Sequence, residues 1–359
     1  PELPPTVGGV ADYTALLSRR LVEVSDGAVE PVLVHAGKEP ADAIDVELPV
    51  VDLSGQCSAP AFSETVGRLA DEVDGQAKVL LEYSGYGYSK RGAPLWLVRG
   101  LRRVCGGGAL PLVTMFHELY ATSWKPWTKA FWTMPIQWIT AVHIVRLSRG
   151  LASNRDHAVQ WIDRRRGDCP VRNSPTFSNV GEPEEAPKYD KRAPYAVLFG
   201  GRRMKNHMYE EGRSIMRDML TQVGVRRIIE IGPRASCSSQ KLGSIPIERR
   251  GILSATEVSN LLKRASLGIL KHPLHCLTKS GVWASYAAHG VAPVIMAEPR
   301  SLEKLEEGTH YLLLDDSSDF KAWNGGQLAS VGRCAREWYI RNAHSKRAAQ
   351  KLFGLLRST

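Results

Sequence analysis

The feature that most constrains the fold of this chain is a repeated alternation of short apolar runs with amphipathic stretches. Short, nearly continuous apolar strands that alternate with helices are typical of parallel sheets covered on both faces. We therefore predict an α/β fold with two Rossmann-like domains whose parallel sheets face an interdomain cleft. The predicted strands are residues 32–34, 79–81, 112–116, 143–147, 195–199, 227–231, 267–270 and 293–296.

A proline-rich segment separates the two series of strands. Residues 171–187 carry three prolines and little periodicity, which is typical of a linker. We predict a first domain over residues 1–175, a linker over 176–194 and a second domain over 195–335, followed by a basic helix over 336–359. At 359 residues the chain is long enough for two domains with separate cores.

Composition limits the classes of protein to which the chain can belong. No run reaches the roughly 18–20 apolar residues that span a bilayer, and no signal-peptide pattern is present. The six cysteines are scattered without metal-ligand spacing, which indicates reduced cytosolic thiols. A net charge of +10 includes clusters at 164–166 and 336–357. Such clusters attract nucleic acid, anionic lipid or phosphorylated ligands, although a solvated helix face explains each equally well.

A Gly-Gly turn stands near the start of the chain. Gly8 and Gly9 precede an amphipathic helix whose apolar face includes Tyr13 and Leu17. Backbone N–H groups at such a helix start can bind an anion, assisted by the helix dipole. Most Gly-Gly turns only reverse the chain. No apolar strand precedes the turn, so we expect one before Pro1.

A histidine follows the predicted strand at 112–116. His117 should emerge at the carboxyl end of that strand, where an α/β fold collects its polar groups. An imidazole there could orient a substrate hydroxyl or stabilise a developing charge. Equally, it could only cap the strand end.

A basic glycine turn follows the first strand of the second domain. Gly200 and Gly201 let a ligand approach the backbone, and Arg202, Arg203 and Lys205 can neutralise a diphosphate. The competing interpretation is a solvated basic turn. Its position after a first strand favours phosphate binding.

A second basic site opens the helix predicted over residues 282–288. Thr278 or Ser280 can cap this helix, and Gly290 suits its end. Lys279 stands against the positive end of the helix dipole, which is unfavourable unless an anion binds. Hydroxyl, ammonium and N–H groups together suit a phosphate.

A tryptophan-rich segment lies between His117 and the linker. Trp124, Lys125, Trp127 and Lys129 combine indoles with cations and contain no acid. This pattern is typical of an interfacial anchor, where indole lies among headgroups and lysine meets anionic lipid. Alternatively the aromatic rings belong to the core and only the lysines are exposed.

A shorter signal precedes the next predicted helix. Ser153 and Asp156 have the spacing of a capping box, so we expect Ser153 to cap a helix that begins directly after it.

In the order of its motifs the chain resembles nucleotide-sugar glycosyltransferases of the GT-B fold, particularly the retaining family 4. The resemblance covers nearly the whole chain. Its main departures are Leu277 and Ser285, which stand where that family has glutamates that bind sugar and ribose. One extra residue also separates Gly290 from Pro293, and Lys205 lies closer to Arg202 than that family's lysine usually does. Ser285 and Glu257 are the candidates for a ribose or base contact. The similar motifs are residues 8–13, 116–118, 201–205, and 257–262 through 290–294.

The resemblance implies a hexosyltransferase that moves a sugar, with retention, from a UDP-, GDP- or ADP-linked donor to a hydroxyl acceptor. It implies that Gly8 and Gly9 close over the phosphates and that the catalytic His117 faces the sugar. Cations of the second domain would offset the charge of the leaving diphosphate, and the last helix would cross back to the first domain. The donor-binding residues implied there are Arg202, Arg203, Lys205, Lys279 and Ser280.

We expect no cofactor and no metal, because the chain shows no acidic pair or cluster suited to a divalent cation. The expected setting is the cytoplasm and the inner face of the membrane, in glycan, polysaccharide or glycolipid synthesis with an acceptor that can be lipid-linked. One alternative is a non-catalytic GT-B-like protein that binds a phosphorylated or lipid ligand. A nicotinamide-dependent dehydrogenase is disfavoured because GxGxxG is absent at either first turn. Nucleic-acid binding has no motif in support.

Overall fold

The chain divides into two compact units. A computed structural model describes residues 3–4, 9–37, 44–73, 77–123, 125–237, 239–298, 304–316 and 318–359, with the side chain of Lys321 excluded. Unit 1 comprises Pro1–Pro175 together with Ser345–Thr359, and unit 2 comprises Thr176–His344. Residues 176–188, most of the predicted linker, belong to unit 2 and contain no helix or strand.

In the described part of unit 1, one sheet has the parallel order β3-β4-β5-β6, and β1 pairs with β2 in a separate parallel ladder. All five residues of β4 are buried, so this strand is the centre of the unit. The elements are β1 (Leu33–His35), β2 (Val50–Asp52), β3 (Val79–Tyr83), β4 (Leu112–Phe116), β5 (Gly150–Ser153), β6 (Val171–Asn173), α1 (Gly9–Val24), α2 (Ala59–Asp71), α3 (Gly85–Tyr88), α4 (Leu95–Cys105), α5 (Lys129–Leu147), α6 (Asp156–Asp163) and α12 (Ser345–Arg357).

The basic C-terminal segment is two helices instead of one. Residues 336–342 end helix α11 (Gly325–Asn342) of unit 2, and α12 begins at Ser345 and belongs to unit 1. Helix α12 packs along α1, where Arg20 Nε donates a hydrogen bond to Ser345 Oγ at 2.8 Å. Lys351 Nζ also donates to the carbonyl of Asn173 at 2.9 Å. The chain therefore completes unit 1 with its last helix.

Two local predictions for unit 1 are wrong. Residues 143–147 are predicted as a strand but form the end of α5, because a short run with three apolar residues fits a buried helix as well as a strand. Ser153 ends β5 and donates to the carbonyl of Phe116 at 2.9 Å, so it does not cap a helix. Helix α6 begins at Asp156 after Arg155, without a side-chain cap.

The sheet of unit 2 has the strand order of a doubly wound α/β fold. Among the described residues the order is β13-β12-β11-β7-β8-β10-β9, with only β9 antiparallel. The elements are β7 (Ala193–Phe199), β8 (Arg227–Ile231), β9 (Lys241–Leu242), β10 (Ile245–Gly251), β11 (Ala265–Lys271), β12 (Ala292–Met296), β13 (Leu312–Leu314), α7 (Arg202–Glu211), α8 (Arg213–Gln222), α9 (Ala255–Arg264), α10 (Gly281–Ala288) and α11 (Gly325–Asn342).

The strand order marks a switch point between β7 and β11. From β7 the chain runs outward through β8 to β10, then returns to β11 and runs outward the other way. Ligands of open α/β sheets bind outside the carboxyl ends of the strands at such a point. The loops after Phe199 and Lys271 therefore occupy the position that the fold favours for a ligand. The predicted α/β class with parallel sheets is confirmed.

Candidate functional site

His117 lies where the sequence places it, directly after β4. Its backbone N–H donates to the carbonyl of Tyr83 at 2.9 Å, which holds it against the end of β3. Its Nε2 lies 2.6 Å from Oε2 of Glu82, and each of these two side chains is 6% exposed. A buried carboxylate at this distance orients the imidazole and fixes which ring nitrogen carries the proton.

An aromatic ring packs against the His117–Glu82 pair. The ring of Tyr13 meets the imidazole edge-on, with centroids 4.7 Å apart. Burial, and secondarily the Glu82 charge, raises the pKa of Tyr13 well above its usual value, so the phenol stays protonated. Glu82 Oε1 is buried without a hydrogen-bond partner among the described residues. A buried carboxylate oxygen without a donor is costly and often marks a functional centre.

The start of α1 lies near His117, because α1 carries Tyr13. Gly8 falls outside the described residues. Gly9 is the first residue of α1, and Tyr13 follows one turn later, about 6 Å along the helix axis. A Cβ on Gly9 would meet no atom within 4 Å, so nothing described requires glycine at this position. The start of α1 and His117 thus belong to the same region of unit 1.

In unit 2 the Gly200-Gly201 turn follows β7 at the switch point. Gly200 has φ +146°, a conformation that favours glycine, and Gly201 is the N-cap residue of α7. After the neighbouring strand β8, Gly232 has φ +95°, and a Cβ there would lie 2.6 Å from the carbonyl oxygen of Gly200. The two glycines let the ends of β7 and β8 approach each other closely.

The cations of this turn divide into an exposed pair and a buried residue. Arg202 and Arg203 are exposed, and Arg202 Nε donates to the carbonyl of Arg234 at 3.0 Å. Lys205 is 0% exposed, with Nζ 3.2 Å from both the carbonyl of Ile231 and Oε1 of Glu230. The arginines can meet an anion directly, whereas the charge of Lys205 is matched inside the fold.

Glu230 organises the interior beneath the turn. It accepts hydrogen bonds from the Tyr209 hydroxyl at 3.1 Å and the Ala235 N–H at 3.2 Å, in addition to its pair with Lys205. Arg249 Nε lies 3.6 Å from the same carboxylate. Burial lowers the pKa of Lys205, and Glu230 opposes that shift. The structure therefore gives Lys205 a supporting position under the Gly200-Gly201 turn.

The second basic site lies across the switch point, after β11. Ser280 caps α10 by accepting a hydrogen bond from Trp283 N–H at 3.2 Å. Helix α10 is tied to the sheet by the Tyr286 hydroxyl, which accepts from Phe199 N–H at 3.1 Å. Burial, and then the Lys279 charge, lowers the pKa of His272 at the end of β11. The structure thus brings the loop that carries Lys279 and Ser280 close to the carboxyl end of β7.

Both ribose candidates are engaged within unit 2. Glu257 closes a capping box with Ser254 at the start of α9, which lowers the Glu257 pKa through hydrogen bonds. Ser285 is buried and donates to the carbonyl of Gly281 at 2.7 Å. These contacts explain the glutamate and the serine at these positions without any ligand, and they argue against a ribose contact for Ser285.

The tryptophan-rich segment is largely exposed. Trp124 lies outside the described residues. Lys125 and Lys129 are exposed, and Trp127 is 80% exposed, so the alternative that places its ring in the core is wrong. In the part of the chain that the structure describes, no helix is long and apolar enough to cross a membrane.

Two acidic residues of these sites were missed from sequence. Glu82 and Glu230 each occur within an apolar strand, and a carboxylate in such a run is a signal for a buried partner. Within the described ranges no three His, Cys, Asp or Glu side chains form a group that could hold a metal ion. The expectation of a metal-free site stays a prediction.

Comparison with known proteins identifies the fold of the chain. No protein-family model and no curated protein matches the chain. Anabaena HepE in complex with UDP and glucose is 14% identical, with a TM-score of 0.59 over 100% of this chain and 98% of that one. The lipopolysaccharide outer core galactosyltransferase WaaB is 12% identical, with a TM-score of 0.57 over 99% and 98%. An alpha-glucosyltransferase in complex with UDP is 11% identical, with a TM-score of 0.58 over 97% and 96%. The chain has the GT-B fold of these glycosyltransferases.

Proposed function

We propose that the protein is a glycosyltransferase that moves a hexose from a nucleoside-diphosphate sugar to a hydroxyl acceptor. The observation that carries this proposal is the match of the whole chain, both units included, to structures solved with UDP and with UDP and glucose. The positions of the predicted residues support it, because they lie at the carboxyl ends of the strands in each unit. We place the protein in the cytoplasm, in glycan, polysaccharide or glycolipid synthesis.

In this proposal unit 2 binds the donor diphosphate at its switch point. Arg202, Arg203 and Lys279 neutralise the phosphates, and the N–H groups at the starts of α7 and α10 add hydrogen bonds. Lys205 and Glu230 hold the turn from below. The bond between the anomeric carbon and the diphosphate oxygen breaks, so negative charge grows on the leaving diphosphate. Cations already in place stabilise that charge in the transition state.

The same step forms a bond from the acceptor oxygen to the anomeric carbon, with retention of configuration as the resemblance implies. The acceptor proton passes to the leaving diphosphate, which balances the reaction. His117 binds the donor sugar in unit 1. Nε2 of His117 is held by the Glu82 carboxylate at 2.6 Å, which leaves Nδ1 to hydrogen-bond a sugar hydroxyl. Glu82 is therefore a positioning residue that acts through His117.

Nucleotide binding is the first test of this proposal. The melting temperature of the protein is measured with UDP, GDP, ADP and dTDP, because a ligand of the native state raises it by mass action. We expect one nucleotide to stabilise the protein. The corresponding sugar nucleotides are then screened for transfer and hydrolysis. Absence of any shift at millimolar nucleotide would contradict the donor site.

Substitutions test the roles of individual residues in turnover. We expect His117→Ala and Lys279→Ala each to lower kcat more than tenfold, since each removes a group that meets donor charge or sugar. The matched control for His117 is His207→Ala, which removes an exposed histidine paired with Glu211 at 3.0 Å. Lys241→Ala, an exposed lysine on β9, is the control for Lys279. Near-normal turnover in both site variants would refute these roles.

A second candidate function is favoured by the residues that replace the expected glutamates. Leu277 and Ser285 are both buried and offer no carboxylate to a sugar. A non-catalytic GT-B-like protein that binds a phosphorylated ligand would fit such a site. Nucleotide-dependent stabilisation without transfer or hydrolysis of any donor would favour this binder over the enzyme.

A further inference from the structure

An exposed apolar surface lies on helix α5 and the loop before it. Of the eleven exposed large apolar side chains in the described ranges, five fall between residues 127 and 139. Trp127 and Trp132 are 80% and 72% exposed, and Ile136 and Ile139 are also exposed. We call these four residues the tryptophan face. Large apolar side chains concentrated in this way mark an interaction surface.

Helical geometry shows that three residues of this face form one stripe. At 100° per residue, Trp132, Ile136 and Ile139 lie within about 60° of each other around α5. The opposite side of the helix, including Ala141 and Ile144, is buried in unit 1. Helix α5 is therefore apolar on the side that faces water as well as on the side that faces the core. Water-exposed helices of soluble proteins are normally polar on the outer side.

The tryptophan face is an ordered part of the fold. Trp132 Nε1 donates to the carbonyl of Pro126 at 2.7 Å, which ties the loop to the first turn of α5. The N-cap residue Thr128 is held by a 2.7 Å hydrogen bond to Ser123, and its side chain accepts from Phe131 N–H. The loop and the ring of Trp132 are thus held in place before any partner binds, which lowers the ordering entropy that binding costs.

Charge around the face selects its partner. Residues 119–155 contain no aspartate or glutamate, and five lysines and arginines lie among them. Lys125 and Lys129 flank Trp127 and are exposed. Two copies of the chain that met through this face would bring four lysines together without an acid in the segment to neutralise them. A partner that is both apolar beneath its surface and negatively charged at it fits better.

We propose that the tryptophan face docks the protein on an anionic phospholipid bilayer. The indoles and isoleucines enter the headgroup and upper acyl region, about 5–10 Å deep, and the lysines meet lipid phosphates. Tryptophan suits this depth because its ring is apolar with one polar N–H. The docking is peripheral. It rests on the surface alone and is independent of any glycosyl transfer.

The test measures partition of the full chain onto vesicles by flotation. Phosphatidylcholine vesicles are compared with vesicles that also contain phosphatidylglycerol, and we expect clear binding to the anionic vesicles only. Trp127→Ser and the double variant Lys125→Glu/Lys129→Glu should each lower the partition coefficient about tenfold or more. Circular dichroism melting verifies that each variant is folded. The strongly exposed Trp127 can be replaced without loss of packing.

Matched controls lie in unit 2. Ile252→Ser removes another exposed apolar side chain, and Lys191→Glu/Lys241→Glu makes the same charge change away from the face. Both should bind vesicles as the unaltered protein does. No binding to anionic vesicles, or equal binding by Trp127→Ser, would overturn the proposal. A dimer that Trp127→Ser converts to monomer in sedimentation equilibrium would assign the face to a second copy instead.

Discussion

The buried histidine of unit 2 makes the stability of that unit depend on pH. His289 follows α10 and is 0% exposed. Its Nδ1 lies 2.7 Å from the carbonyl of Ser285, so Nδ1 carries the hydrogen and donates a hydrogen bond to that carbonyl. Its Nε2 lies 2.8 Å from Ser259 Oγ and accepts from that hydroxyl in the neutral ring. Both nitrogens are therefore satisfied while the imidazole is neutral.

Burial, and then the charges of Lys263, Arg192 and Arg336, lower the pKa of His289 from 6.5 to about 4. In the unfolded chain the pKa returns to 6.5. Below pH 6.5 His289 binds a proton in the unfolded state but not in the native state, so the free energy of unfolding falls as pH falls from 6.5 toward 4. Linkage gives a loss of about 2 kcal/mol between pH 7 and pH 5, and about 3 kcal/mol by pH 4.

Comparison with His289→Asn isolates this contribution. Asparagine keeps a donor near the position of Nδ1 but cannot take up a proton. We expect the variant to be less stable than the unaltered protein at about pH 7, and the difference to shrink by about 2 kcal/mol by pH 5. Urea denaturation at a series of pH values, followed by circular dichroism, measures both proteins. Parallel pH profiles would refute the assignment, since other titrating groups are common to the two proteins.

Two further predictions concern the site. Replacing Glu82 with Gln removes the charge that orients His117, so we expect kcat to fall at least tenfold while KM for the donor changes little. Initial rates over a range of donor concentrations measure both constants, and an unchanged kcat would contradict the positioning role. Gly232→Ala places a Cβ 2.6 Å from the Gly200 carbonyl, so the free energy of unfolding should fall by about 2–4 kcal/mol. Gly224 also has positive φ, but a Cβ there would meet no atom within 4 Å, so Gly224→Ala should lower the free energy of unfolding by only about 1 kcal/mol. Equal losses for the two variants in urea denaturation would show that the close approach at Gly232 is unimportant.

Much of the fold is predictable because its strands are short, apolar and bounded by turn residues. The strands at 112–116 and 227–231 have the predicted bounds. Residues 143–147 are the exception, because a window of five residues is too short to show whether its apolar positions repeat as in a helix or as in a strand. The complete stretch Lys129–Leu147 is helical and apolar on both sides, so its amphipathic signal is weak.

The candidate site was predictable where glycine, histidine and cations follow a strand. Its supporting carboxylates were not, because the partners of Glu82 and Glu230 are distant in sequence and meet them only after the sheet forms. Lys205 shows the same limit. A lysine one turn into a helix has the same appearance in sequence whether it faces a ligand or a buried acid, and only burial in the folded unit separates these cases.

The return of α12 to unit 1 has a consequence for biosynthesis. Unit 2 is continuous from Thr176 to His344, whereas unit 1 needs Ser345–Thr359 as well as its first 175 residues. A ribosome synthesises Ser345–Thr359 only after the whole of unit 2. Unit 2 can therefore complete its core on the nascent chain while the surface of α1 that α12 covers stays open to solvent. The second unit to begin synthesis is the first that can finish folding.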